Sequence, residues 1–398
     1  MGQSSGMTKR PPLAVTGMGL IAAGATNLHE MWSVLTAEPE PLSPPDILHD
    51  DAMPFPFFRV PDAAFGPQGR RRTAADTLHL AVNASRQALK NSGFVPGASG
   101  NLGVIVGTTS GSALHFLDGY KASREGKKAT ATDIDDYFHS NVALELGNLF
   151  KAEGPLLTLS NACTSGADAV GMAMDLLHQG ICDAVLCGGA DTLSIVPHTG
   201  FARLMISSDS PCRPFDAQRT GLNLGEGAGM LLLETKESAE KRGAAIMGWV
   251  AGYGSAADAY HFTAPHPKAR GLAQAVDNAI EDAGIDKSQI AFINAHGTAT
   301  KENDKVEGTF FQKNFPKTPV WASKAVTGHT LGAAGALEAI FCLLAFIHGE
   351  VPQSRNFHSA DPCIGLEPTK KALSLSGGYA LSTSLGFGGG NSCLILAG

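Results

Sequence analysis

Short apolar runs, several of them closed by glycine, alternate along this chain with stretches whose apolar residues recur at three- and four-residue spacing. The runs at 13–19, 102–107, 156–159, 183–189 and 228–234 read as strands, each too short for a helix and almost free of charge. Between them, a stretch opening at Arg70-Arg71-Arg72 and running to about Asn91 carries a helical stripe. Residues 115–150 form an amphipathic, partly helical excursion, and residues 36–67, rich in Pro and polar groups, read as irregular. From about residue 246 the order begins again. Residues 246–254 repeat the strand-then-glycine opening, and 271–284 repeat the amphipathic helix. Residues 290–295 and 319–322 read as strands, 329–348 as a long helix of small and apolar residues, and 388–396 echo 225–233. The pattern predicts two related α/β halves, 10–245 and 246–398.

Composition narrows the class. The 398 residues suffice for two core-forming units, and 43% hydrophobic against 17% charged residues argues against disorder. Glycine, at 47 residues, exceeds the usual ~7% share and implies many tight turns and close backbone approaches. A net charge of −7 gives no footprint for nucleic acid. Seven cysteines, odd in number and irregular in spacing, indicate neither a disulfide framework nor a zinc or other metal site, and point to a reducing, cytoplasmic setting. The N-terminus lacks a signal-peptide pattern, and no uninterrupted apolar stretch reaches the ~18–20 residues of a membrane helix.

Candidate chemistry centres on the run from Leu156 to Val170, where an apolar run that reads as a buried strand ends in Cys163 and a helix of small residues follows at once. A Cys in that turn faces free N–H groups and the positive end of the helix dipole, which favour the thiolate, the form that attacks a carbonyl. The alternative is a small hydrophobe filling a strand–helix corner. Two histidines weigh toward chemistry. His296 lies at a strand end in Asn294–Thr300, and His329 lies in Ser323–Gly335; both are flanked by Gly and Thr. Glu338 stands inside an otherwise apolar helix, where an unpaired carboxylate costs several kcal/mol, so pairing with Lys324 is expected. The Gly17/Gly19 turn lacks the full dinucleotide spacing and its following acidic residue.

Together these motifs resemble the β-ketoacyl-acyl carrier protein synthases, nearest to the elongating Cys-His-His type. The resemblance runs from about residue 12 to 397 and includes Thr263–Pro267, Arg213–Asp216, Gly225–Gly229 and the glycine loop 386–390. It implies a thiolase-like fold, with two pseudo-duplicated halves in α-β-α-β-α layers. It further implies that Cys163 takes the acyl group while His296 and His329 act on a malonyl thioester. The backbone N–H groups of Cys163 and Phe387 would form the oxyanion hole, and Phe387 would gate the nucleophile. Thr298 and Thr300 would hold the phosphopantetheine arm, Lys324 and Glu338 would pair behind the site, and Arg70, Arg71, Arg72 and Arg203 would dock an acidic acyl carrier protein. No cofactor is implied, because the substrate arrives on the carrier's phosphopantetheine. The partners expected are that carrier and a second chain, either a homodimer mate or a chain-length subunit.

Several positions depart from the family pattern. Leu385 replaces Phe, Gly390 replaces Thr, and Arg219–Leu224 replaces the Asp-Gly-Phe form. Thr109 and Ser110 fall near the expected floor of the acyl pocket. These differences point to an unusual acyl chain, of polyene or aryl-polyene type. A thiolase would place a second catalytic Cys in the glycine loop, whereas Cys393 lies beyond it; initiating enzymes would carry Asn at the position of His329.

Overall fold

The computed structural model describes residues 10–37, 42–44, 54–68, 74–109, 111, 122–128 and 141–398. Arg70, Arg71, Arg72 and Ser110 lie outside the described residues. The strands are β1 (Leu13–Ile21), β2 (Leu102–Gly107), β3 (Leu156–Leu159), β4 (Ala184–Asp191), β5 (Gly227–Glu234), β6 (Gly248–Ala257), β7 (Ile290–Asn294), β8 (Val320–Trp321), β9 (Glu350–Val351), β10 (Leu373–Ser374), β11 (Tyr379–Leu385) and β12 (Gly390–Ala397). Among the described residues ten of them form one sheet in the order β3-β2-β4-β5-β1-β6-β12-β11-β7-β8, with β9 and β10 paired apart.

The order carries its own symmetry. Read inward from either edge, β3-β2-β4-β5-β1 matches β8-β7-β11-β12-β6, and each corresponding pair has the same parallel or antiparallel sense. Within the sheet, among the described residues, the two sections join where Leu13–Val15 pair with Gly248–Val250. The described helices of eight or more residues are α1 (Leu28–Thr36), α2 (Ala74–Ser92), α3 (Val142–Phe150), α4 (Ser165–His178), α5 (Ile195–Arg203), α6 (Arg270–Ala283), α7 (Lys301–Asn314) and α8 (Ala334–His348). Helices α4 and α8 lie in the middle, each touching strands of both sections. Their apolar faces join the largest core cluster with Val15, Leu231, Val250 and Phe292. Helices α2 and α3 cover the outer face of the first section, and α6 and α7 that of the second, each over its own core cluster. This gives the layered α-β-α-β-α fold.

Helix α8 is apolar around most of its circumference because both faces are buried, as a middle-layer helix requires. With the turn before it, Leu331–His348 has the length and mean hydropathy of a membrane-crossing helix, although Glu338 interrupts its apolar run. Here the segment is mostly buried inside the protein. One correction concerns β3, expected as buried: it is a half-buried strand at the edge of the sheet, paired among the described residues with β2 alone. Strand β11, with Ser382, Thr383 and Ser384 in its run, has no apolar periodicity to announce it. Those hydroxyl-bearing residues are buried, and Thr383 spends its hydroxyl on Glu307.

Candidate active site

The turn that carries Cys163 is built by contact between the two middle helices. A Cβ on Gly166 would stand 2.7 Å from the Gly332 carbonyl oxygen, and one on Gly335 would stand 2.8 Å from the Ala167 nitrogen. Only hydrogen atoms fit there, so the start of α4, which follows Cys163, lies against the segment that follows His329. Before the Cys, Ala162 adopts φ 49°, a region that side chains with a Cβ rarely occupy. The turn closes with Thr164 N–H donating to Asn161 O at 3.2 Å and the Ser165 hydroxyl donating to Ala162 O at 2.6 Å.

Cys163 is buried, close to the Phe387 backbone. Burial pushes the thiol up to about 11, while Lys324 and the Phe387 N–H pull it down. Burial thus works against the thiolate that the helix start favours. Loss of water is the larger influence on the thiol, and the Lys324 charge opposes it.

His296 follows β7. Its backbone N–H donates to Glu307 Oε1 at 2.7 Å, and the next N–H, of Gly297, donates to Oε2 at 2.8 Å. Lys324 Nζ lies 3.2 Å from His296 Nδ1 and also contacts Glu338, completing the expected buried ion pair. Burial pushes the Glu338 carboxyl up to about 7, with Lys324 opposing. His329 N–H donates to Asn223 O at 2.9 Å, and its Nδ1 accepts from the Leu331 N–H at 3.2 Å. Each Nδ1 therefore faces a donor, which leaves the ring proton on Nε2. Both imidazoles are held well below their usual range, by burial first and then by the Lys324 charge. The ring centroids are 5.2 Å apart, with planes at 87°.

Cys163, His296 and His329 line one cavity of about 390 Å³. Thr298 and Thr300, with hydroxyls 2.9 Å apart, line it as well, as do Leu222, Leu385 and Gly390. The Phe387 ring stacks on Phe201 at 5.2 Å, and Phe201 meets His329 edge-on at 6.3 Å. Arg203 is exposed at the end of α5, between the cavity-lining Phe201 and Leu204. The Thr109 N–H and hydroxyl both donate to Asp191 Oδ2, each at 2.9 Å. Among the described residues no cluster of metal-ligating side chains is found.

Two contributors escaped the sequence reading. Phe201 lies in a helix with little apolar pattern. Glu307 lies on α7, whose buried Asn303, Asp304 and Glu307 share one face at three- and four-residue spacing. A polar stripe at helical spacing immediately after the His296 loop was the available signal.

Residues 10–239 match the family model described as β-ketoacyl synthase, N-terminal domain, and residues 247–358 match its C-terminal domain. The chain is 32% identical to the tetracenomycin polyketide synthase ketoacyl synthase alpha subunit of Streptomyces glaucescens, over 97% of this chain and 96% of that one. It is 32% identical to 3-oxoacyl-[acyl-carrier-protein] synthase 2 of Synechocystis sp., over 95% and 96%. Among solved structures it matches AntDE:AntF, a type II polyketide synthase acyl-carrier protein in complex with its ketosynthase bound to the hexaketide. That match has a TM-score of 0.88 and 26% identity, covering 98% of this chain and all of that one. A doubled α/β fold with a Cys-His-His cavity between its halves defines an acyl-transferring condensing enzyme of the thiolase-like superfamily. This chain belongs to the β-ketoacyl synthase family.

Proposed function

We propose that Cys163 accepts an acyl group from a carrier-protein thioester and that His296 and His329 then drive its condensation with a malonyl thioester. The observation that carries this reading is the shared cavity: one sulfur and two neutral imidazoles, each ring with its Nδ1 already engaged. In the first step the Cys163 sulfur attacks the acyl carbonyl, its proton passing to the departing pantetheine thiol. The backbone N–H groups of Cys163 and Phe387 receive the oxyanion. In the second step the malonyl group loses CO2, and negative charge moves onto its thioester oxygen. Two Nε2–H donors there stabilise that charge, and because the rings are neutral they need not lose a proton first. The enolate carbon attacks the acyl carbonyl, and the Cys163 sulfur leaves as a thiolate that takes a proton from solvent water. The product is a 3-oxoacyl thioester.

Every step uses groups of this chain and the substrates, and we assign no cofactor. The carrier is acyl carrier protein, supported by the AntDE:AntF likeness and by exposed Arg203 beside the cavity wall. Thr298 and Thr300 are assigned to its phosphopantetheine arm. The second chain is a like subunit or a chain-length partner; the alpha-subunit relative supports the latter. A specialised acyl chain is supported by Leu385 and Gly390, both departures from the family pattern, in the cavity wall. We place the enzyme in the cytoplasm and take 10–245 and 246–398 as its halves, a division supported by the matched strand orders. Replacing Cys163 with Ala tests the reading: acyl transfer is abolished while the circular dichroism spectrum is unchanged. Condensation at the wild-type rate by Cys163→Ala would overturn it.

A further inference from the structure

We propose that Asp168 is the positioning residue of the nucleophilic turn, holding Cys163 in register with the half that carries the histidines; this rests on the acyl-accepting role given to Cys163 above. Asp168 lies in the first turn of α4 and lines no part of the cavity, so it acts only through its neighbours. Its Oδ2 accepts from Asn161 Nδ2 at 2.7 Å and from the Thr164 hydroxyl at 2.7 Å, the residues two before and one after the nucleophile. Its Oδ1 accepts from the Tyr253 hydroxyl at 2.8 Å and from the Ser392 hydroxyl. Tyr253 belongs to β6 and Ser392 to β12, both in the second half. One carboxylate thus ties two neutral donors of the catalytic turn to two from the opposite section.

The surroundings show why such a tie is needed. Ala162 holds a left-handed conformation, which persists only where neighbouring contacts fix it. The Tyr253 ring lies so close to α4 that a Cβ on Gly171 would come within 2.4 Å of it, so the hydroxyl is delivered from a fixed ring. Asn161, held by Asp168, is also the surface on which the glycine loop rests. A Cβ on Gly390 would lie 3.3 Å from Asn161 Nδ2, and one on Gly386 would lie 3.3 Å from Asn161 O and 3.4 Å from Cys163 N. The carboxylate therefore sets both the turn that carries the sulfur and the glycine loop packed against it. A charged group in the first turn of α4 also suits the helix dipole.

The test separates the two half-reactions in the full-length protein with its carrier. Acylation of Cys163 by an acyl-carrier thioester is followed by intact-protein mass, and decarboxylation of malonyl-carrier thioester by CO2 release. Asp168→Asn keeps the shape but turns one acceptor into a donor facing two other donors. Because an ångström of misplacement costs on the order of 100-fold in a positioned reaction, acylation should slow by roughly 10- to 100-fold. Decarboxylation, which depends on the histidines, stays within about twofold on the same argument. Equal losses in both half-reactions, or no loss in either, would overturn the proposal. If Asp168→Asn does not fold, Tyr253→Phe removes one donor from Oδ1 and is read the same way: selective slowing of acylation supports the proposal, an even loss overturns it. A wild-type protein that is never acylated refutes the role of Cys163 itself, a distinct result.

Discussion

Replacing Lys324 with Met separates what the buried ion pair does for the fold from what it does for the reaction. The side chains of Lys324 and Glu338 are 2% and 3% exposed, so Lys324→Met leaves a carboxylate in a dry interior. Removing one member of such a pair typically costs about 3–5 kcal/mol. Glu338 can offset part of that by taking a proton, since burial already pushes it up to about 7 and Lys324 is what opposes the shift. The sign follows. A carboxyl raised above its unfolded value binds its proton more readily when folded, so stability falls as pH rises from the unfolded value of 4.5 toward the folded one. The urea midpoint of Lys324→Met should therefore drop more steeply from pH 6 to pH 8 than that of the wild type. Adding Glu338→Leu removes the stranded carboxylate and should recover most of the loss.

Activity behaves differently. Lys324 Nζ faces His296 Nδ1 at 3.2 Å, and without it the ring is free to place its proton on the wrong nitrogen. Losing one aimed donor of this kind costs about 10²–10³-fold in rate. The removed charge would let both imidazoles titrate higher, but burial is the larger cause of their low values, so they remain neutral. Malonyl decarboxylation by Lys324→Met/Glu338→Leu should thus stay slow although the fold is restored. A double variant that recovers its rate along with its stability, or that is no more stable than the single one, refutes this reasoning.

Three further outcomes follow from the same geometry. Alkylation of Cys163 by iodoacetamide should keep accelerating with pH toward about 11, because burial holds the proton on sulfur; a plateau below pH 8 contradicts this. Gly335→Ala places a Cβ 2.8 Å from Ala167 N and Cβ and should destabilise the protein by about 1–3 kcal/mol in urea unfolding; an unchanged midpoint contradicts the close approach of the middle helices. Phe201→Ala removes the ring stacked on Phe387 and should loosen the glycine loop, seen as faster tryptic cleavage after Arg203 or altered acylation kinetics. If both remain at wild-type values, the stacking does not hold the gate.

The chemistry was more legible than its support. Cys163, His296 and His329 sit in loops of Gly, Thr and Asn where their types stand out, and Glu338 was conspicuous as the one charge in an apolar helix. A sequence shows the helix start that favours the Cys163 thiolate but not the burial that opposes it. The β3 edge was misread because an apolar run has the same appearance in the centre of a sheet and at its border. Asp168 and Glu307 look like ordinary helix carboxylates in sequence. Their roles depend on partners 224 and 76 residues away, at Ser392 and Thr383, which no local pattern reveals.

The central claim is that one sulfur and two imidazoles act on a single thioester. Intact-protein and peptide mass spectrometry tests it most directly: incubate with acyl-carrier thioester, locate the adduct, then add malonyl-carrier thioester. The account predicts an acyl mass on the Cys163 peptide that disappears as a 3-oxoacyl product forms, and that persists in His296→Ala and His329→Ala. An adduct on exposed Cys363 instead, or equal discharge from all three proteins, would contradict it.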